Sequence, residues 1–491
     1  MKKVVFVLVS LLLVGLMVAS TSAQGGINPG IGNVNFTVMN ISPSTEANVI
    51  ASYIAQDGTE ASSVQKVLQP QSSQGFPITE SGLPDTSWAG AAIASADQEI
   101  VAFAQIKWEH GSSTDGKTAA AYNGFSQGAG TLYFPSLAAR SGKQFSQLII
   151  QSAEAASAGA TTSFTIKFCD RNGNQSIADV PGTVNKGAQT TIDLLDDVSL
   201  PVTDPPGDGW LGSAVVESAD PIAGVAVTHW QQYSAAYSAV IGGGQFAYLP
   251  SATRRLPTGT WLQYTAVIVQ NLDQSSAADV TARWYDRNGN ELYSFDDTIP
   301  ANSSHGYNTR HTAGDIPNPT ALHNALGADW NGSVVIESTS GADIVGIVNL
   351  QWTGDHPAGA GASAYYSEPQ GYAEVFVPAI FRRVSGGTWL QYTGLIVQNV
   401  GATACSNFDV EWRNRDGDLL MSYQDSLNPN IAHGYNTKVG ADIPAGENLN
   451  DLGSSLNGSV YINAPGCELI GIHNTVWPVW TDSTTYNLFG K

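Results

Sequence analysis

The sequence is poor in charge. Charged residues make up 13% of its 491 positions, against about a quarter in a typical globular domain. Acids outnumber bases 42 to 21, giving a net charge of −21. No Lys/Arg stripe exists that could displace counterions from a phosphate backbone, so nucleic acid is not an expected partner. Cysteine is scarcer still, with Cys169, Cys405 and Cys467 the only three, too few for a disulfide scaffold. Beyond the N-terminal region no run is apolar enough to span a bilayer, so no transmembrane segment is expected in the mature chain. Amphipathic helix periods are missing throughout. The sequence also lacks a G-x-S-x-G elbow, an H-E-x-x-H helix and a P-loop.

The one long apolar run is at the start. Lys2 and Lys3 precede Val4–Val18, and Thr21-Ser22-Ala23 supplies small residues. This is the pattern of a secretory signal peptide over residues 1–23, with cleavage between Ala23 and Gln24. The mature chain is therefore expected outside the cytoplasm, secreted or at the cell surface.

What is abundant is repetition. IVAFAQIKW, IAGVAVTHW, IVGIVNLQW and LIGIHNTVW end at Trp108, Trp230, Trp352 and Trp477, a spacing of about 120 residues, one small domain each. Before each lies a strand led by Gly90, Gly212, Gly332 or Gly458, where glycine signals a bulge or a close backbone approach. Earlier strands end in Asn40, Ser152, Asn271 and Asn399, and Asn-Gly or Asp-Gly turns follow at Asn172, Asn288 and Asp416, the strongest short hairpin signal. Tyr122, Tyr237, Tyr365 and Tyr486 come after the Trp strands, then YFP, YLP and VFVP. These are expected to form a Tyr/Pro seam joining repeats, with proline at the edge of a first strand. The first repeat has only a short Gly-rich leader there.

About seven short strands per repeat, with frequent turns, predict an all-β chain of four tandem immunoglobulin-like sandwiches after the signal peptide. The boundaries fall at 24–130, 131–245, 246–372 and 373–491, with a short first strand in the first. The Gly-led strand is then strand F and the Trp strand strand G, its Trp a packing anchor. In such a topology the loops carrying Cys405 and Cys467 share one end. A disulfide there closes a loop of about 60 residues, worth about 4 kcal/mol in the chain-entropy model; two unpaired thiols are the alternative.

The V-x-N strand ends (Val269–Asn271, Val397–Asn399), the D-R-N-G turns and the Gly-Ser strands (Gly332–Ser333, Gly458–Ser459) resemble the tandem immunoglobulin-like, CARDB-like repeats of bacterial secreted and cell-surface proteins. The resemblance covers most of the mature chain. It implies surface display or adhesion and transfers no catalytic residue.

Candidate chemistry is sparse. Asp170–Asn174, Asp286–Asn290 and Asn414–Asp418 look superficially like calcium loops, but their glycine falls fourth rather than sixth. They read as hairpin turns; no cofactor is indicated, and structural calcium elsewhere stays open. HGYNT occurs at His305–Thr309 and His433–Thr437, a duplicated polar strand. His305, His311 and His323 match no zinc spacing. Glu217 and Glu337 hold matching places in separate repeats and read as solvated. Trp261 and Tyr264, with Trp389 and Tyr392, set aromatics beside amides, a combination that can stack on sugar rings but equally serves packing. The expected function is structural or adhesive and not enzymatic. It would act through multivalent contacts with other surface proteins, with itself or with polysaccharide. The alternatives are carbohydrate binding through the Trp261 and Trp389 regions and, less favoured, hydrolysis.

Overall fold

A computed structural model describes all residues except 1–4, 10–30, 85–87, 110–116, 203–208, 231–232, 313, 356–360, 441 and 480–481. The expected cleavage point at Ala23–Gln24 lies outside the described residues. The chain is all-β; among the described residues there is one α-helix, Pro319–Leu326, and two short 3-10 turns, Ile78–Glu80 and Leu449–Leu452. It divides into two compact units. One holds Met1–Pro70, Gln74–Gly242 and Asn302–Ser304; the other holds Gln71–Ser73, Gly243–Ala301 and His305–Lys491.

In the second unit each repeat is a single long sheet. In repeat 4 the order is Leu419–Leu427, Cys405–Asn414, Ser455–Asn463, Glu374–Ser385, Thr388–Asn399, Leu469–Trp477, Asp482–Asn487, with Ala432–Asn436 on Thr388–Asn399. Repeat 3 follows the same plan with Phe246–Arg255 and Gln263–Asn271 at its centre. The first strand, Glu374–Ser385 or Phe246–Arg255, slips register at its proline, between Val377 and Ile380 or Leu249 and Ala252. The missing N–H of Pro378 or Pro250 therefore falls where no ladder bond is needed. Apolar side chains from both ends of the repeat 3 sheet, Trp284 and Val334 with Val267 and Val348, meet in one buried core, so the sheet folds over on itself as a sandwich.

This order corrects the strand assignment. In the immunoglobulin order strands F and G share one sheet as neighbours. Here the Gly-led strand Ser455–Asn463 pairs with the first and third strands, and the Trp strand Leu469–Trp477 pairs with the second. Nor is the Trp strand last, because Asp482–Asn487 pairs beyond it. In repeat 2 the two form one continuous strand, Trp210–Trp230.

The recurring residues have local physical roles. A β-carbon on Gly332 or Gly458 would collide with the carbonyl of Tyr285 or Arg413 on the adjacent strand. Asn271 at its strand end donates to the carbonyls of Ser276 (2.8 Å), Ile299 (3.1 Å) and Pro300 (3.2 Å) and accepts from the Asp273 amide. Asn399 and Asn40 make the same kind of clamp.

The tyrosines act within repeats, not between them. The Tyr365 hydroxyl donates to the Ser251 carbonyl (2.5 Å) and accepts from the Ser251 amide (3.0 Å), closing the proline bulge of its own repeat. Tyr237 does the same at Ser136. The expected Tyr/Pro seam between repeats is thus replaced by something else. In unit 2 the edge strands Gly361–Tyr366 and Asp482–Asn487 run side by side, with Ser363 Oγ 2.7 Å from Thr485 Oγ1 and Asn487 bonded twice to the Tyr366 backbone. In unit 1 Thr118 Oγ1 accepts from the Ser234 amide (2.8 Å), and Ser238 Oγ donates to the Asn123 carbonyl (2.6 Å). There Ala102, Ala104 and Trp108 share one core with Val225, Val227 and Ala236. The Trp strand therefore packs repeats together in pairs.

Candidate functional site

Two equivalent clusters stand out in unit 2, at the turn from first to second strand. Trp261 lies under the guanidinium groups of Arg254 (5.0 Å) and Arg310 (5.3 Å), and Arg310 also covers Tyr264 at 4.8 Å. The Tyr264 ring meets His311 edge-on at 5.9 Å. In repeat 4 Trp389 lies under Arg382 (5.2 Å) and Lys438 (6.0 Å), and Lys438 covers Tyr392 at 5.1 Å. All four sequence-predicted aromatics are only half-buried and gather in these two places. The paired edge strands of unit 2 run in the same direction, so both clusters lie at one end of that unit.

The cations are held but not neutralised. Arg254 donates to the carbonyls of Thr309 (2.7 Å) and His323 (3.4 Å). The buried Arg382 donates to the Gly453 carbonyl (2.6 Å) and to Asn450 Oδ1 (2.5 Å); its Nε has no hydrogen-bond partner among the described residues. Burial pulls the Arg254 guanidinium below its ordinary value. Among the described residues no carboxylate pairs with Arg254, Arg310, Arg382, Arg383 or Lys438. By contrast Arg255 pairs with Asp329, Arg283 with Glu337, Arg287 with Asp442 and Arg413 with Glu411. A carboxylate or sulfate brought to the unpaired group would make charge-assisted hydrogen bonds.

These cations went unremarked in the sequence, although it carries a signal for them. Arg310 and Lys438 directly follow the two HGYNT motifs, and Arg254-Arg255 and Arg382-Arg383 repeat at matching first-strand positions. The motif itself has an internal task. Asp297 receives His305 Nδ1 at 2.6 Å and the Tyr307 hydroxyl at 2.8 Å; Asp425 receives His433 and Tyr435 at 2.7 and 2.6 Å. Burial pushes both carboxyls up, but these hydrogen bonds outweigh it and hold them below the ordinary carboxylate range.

The remaining candidates are dispersed. Asp286 Oδ1 accepts from the amides of Asn288 and Asn290, and Asp170 Oδ1 from those of Asn172 and Asn174, so each turn closes on itself. Among the described residues no group of three His, Cys, Asp or Glu side chains could hold a metal. Glu217 pairs with Lys167 at 2.8 Å, in a different unit from Glu337. His323 is tied to the Asn308 carbonyl (3.0 Å), away from His305. Cys405 and Cys467 are joined, S–S 2.02 Å, and Cys169 is buried and free.

No protein-family model matches the chain, and no curated protein matches it in sequence. Among solved structures, Thermotoga maritima 1070 is 12% identical, covering 26% of this chain and 96% of its own at a TM-score of 0.19. The Anabaena sensory rhodopsin transducer is 19% identical over 23% and 97% of the two chains, TM-score 0.17. A tetra-tandem repeat from the extending region of a large adhesion protein is 11% identical over 94% and 96%, TM-score 0.11.

Proposed function

We propose that the chain is a secreted or cell-surface structural and adhesive protein, without catalytic activity, that works through repeated weak contacts. The observation that carries this reading is how the recurring residues are used. Trp, the leading Gly, the strand-end Asn and the edge Tyr recur from repeat to repeat, and each is consumed in packing or backbone closure. A scaffold built this way can present several faces and gain avidity from number. The resemblance to CARDB-like surface repeats supports the same role, although it does not extend to the order of the strands. The low charge of either sign and the leader-like residues 1–23 fit a chain that works outside the cytoplasm. Fractionation of the producing cells, with detection of the protein on intact cells, tests this reading. Detection on intact cells or in the medium, and weaker cell attachment when the protein is absent, are the expected results. Confinement to the cytosol would refute it.

A second reading has its own observation. The Trp261 and Trp389 clusters present half-buried rings beside unneutralised cations on an acidic protein. They suit a polysaccharide that carries carboxylate or sulfate groups. Retention on polygalacturonate but not on dextran, lost in the Arg310→Ala, Lys438→Ala double variant, is the expected outcome of this reading. Equal retention on both polymers would make it plain sugar stacking.

A further inference from the structure

Repeats 2, 3 and 4 place their first strand in a position with two walls. One wall is the Gly-led strand. The other is the residue three past the edge tyrosine: Tyr133 bridges to Val240, Tyr248 to Glu368, and Phe376 pairs with Phe489. Beyond that point the strand bulges at its proline, and in repeats 2 and 3 the tyrosine hydroxyl bonds the freed backbone of Ser136 or Ser251.

Repeat 1 has both walls. Gly90–Ala96 stands in the Gly-led place. Tyr122 faces Ala104 in the register in which Tyr365 faces Val348, and Phe125 follows three residues later. Between these walls the described chain supplies only Val5–Val9. That segment keeps the register of the other repeats: Val9 lies opposite Ala92 where repeat 3 sets Leu249 opposite Val334. Val9 is the last residue described before the place of the bulge. Unlike the hydroxyls of Tyr237 and Tyr365, that of Tyr122, 2% exposed, has no hydrogen-bond partner among the described residues, and a buried hydroxyl left unpaired is costly. Val5–Val9 also belongs to the leader expected to be cut away before Gln24.

We propose that repeat 1 is a strand-accepting site. With the leader removed, the place between Gly90–Ala96 and Tyr122–Phe125 takes an extended segment of a partner polypeptide, its apolar residues alternating up to a Pro-Ser bulge. The chemistry of the occupant is that of the chain's own first strands, YFPS at Tyr133–Ser136 and YLPS at Tyr248–Ser251. Main-chain bonding to the open edge supplies affinity, and the pockets for alternate side chains supply selectivity. The proposal rests on the leader being removed and gives the adhesive reading a class of partner.

The test uses the chain beginning at Gln24 and a synthetic peptide with the sequence of Phe246–Arg255. Saturable one-to-one binding, slowed amide exchange across Gly90–Ala96, and roughly tenfold weaker binding after Tyr122→Phe, the loss of one hydrogen bond, are expected. A scrambled peptide should not bind. If the shortened chain aggregates alone, refolding with the peptide should return a soluble complex. Absence of binding, failure of that rescue, or a cellular protein that keeps residues 1–23 would overturn the proposal. Peptide binding by a cellular protein that has lost residues 1–23, with cell attachment unchanged when the protein is absent, would refute the adhesive reading and uphold the strand-accepting site.

Discussion

Repeats 1 and 4 are built from the same parts and differ in how those parts are joined. In repeat 4 the first strand Glu374–Ser385 pairs with the Gly-led strand and then, past its bulge, with Thr388–Asn399, so one sheet runs through the whole repeat. Repeat 1 has two separate four-stranded sheets. Val5–Val9 sits at the edge of one, beside Gly90–Ala96, and among the described residues pairs with no strand of the other. Repeat 4 is also tied by Cys405–Cys467, while repeat 1 contains no cysteine. The lesson is that the walls of the first-strand position are specified by residues elsewhere, such as Gly90 and Tyr122. The position therefore persists where the residues that fill it have changed.

The largest expected effect follows from that contrast. A chain starting at Gln24 loses the five-residue pairing of Val5–Val9 with Ala92–Ala96, on the order of 5 kcal/mol at about 1 kcal/mol per backbone hydrogen bond. The loss should fall on unit 1 alone. Chemical denaturation followed by segment-resolved hydrogen exchange should show Gly90–Ala96 opening first, with Ser455–Asn463 unchanged. Equal loosening of both strands would break the comparison.

The reverse effect comes next. Replacing both Cys405 and Cys467 by Ala should cost about 4 kcal/mol, from the unfolded-state entropy of a loop spanning 62 residues, and should leave unit 1 untouched. Cys405 sits opposite Leu427 on the neighbouring strand, so exchange at Leu419–Leu427 is the sensitive readout. A shared destabilisation of both units would mean that they unfold together.

Much of this plan was legible in the sequence, and the parts that were not share a cause. The leading glycines, the hairpin turns at Asp170 and Asp286, and the two cysteines that now form a bond all announce themselves through local chemistry. The Trp strand was found as a repeat, but its neighbour was not. Alternation of buried and exposed residues states which face is apolar, not which strand lies alongside. For the same reason Tyr365 was placed between repeats when its hydroxyl closes a bulge in its own, 114 residues away in sequence. At the candidate site the aromatics were visible and the cations were not, because a net charge of −21 hides four cations, without a carboxylate partner among the described residues, gathered in two places.

The finest contrast concerns the second wall of the first-strand position. Repeats 1, 2 and 4 put Phe125, Val240 and Phe489 there; repeat 3 puts Glu368. Its carboxylate is buried against the Tyr372 hydroxyl (3.1 Å) and the Asn487 amide (3.0 Å), and burial pushes it up to about 7. A carboxyl raised in the folded state stabilises the fold below its unfolded value of 4.5, and that contribution is lost as pH rises through 7. Glu368 should therefore cost unit 2 about 3 kcal/mol between pH 4.5 and 8, a contribution that Phe125 and Val240 cannot make at this place in unit 1; the buried His473, pulled down to about 3, works against it by favouring the fold as pH rises. Relative to the native chain, Glu368→Gln should raise the stability of unit 2 at pH 8 while changing little at pH 4.5. Thermal unfolding across that range decides it. A Gln variant no more stable than the native chain at pH 8 would remove Glu368 as a source of pH dependence, and the wall would then be as indifferent to charge in repeat 3 as an apolar residue makes it in the other three.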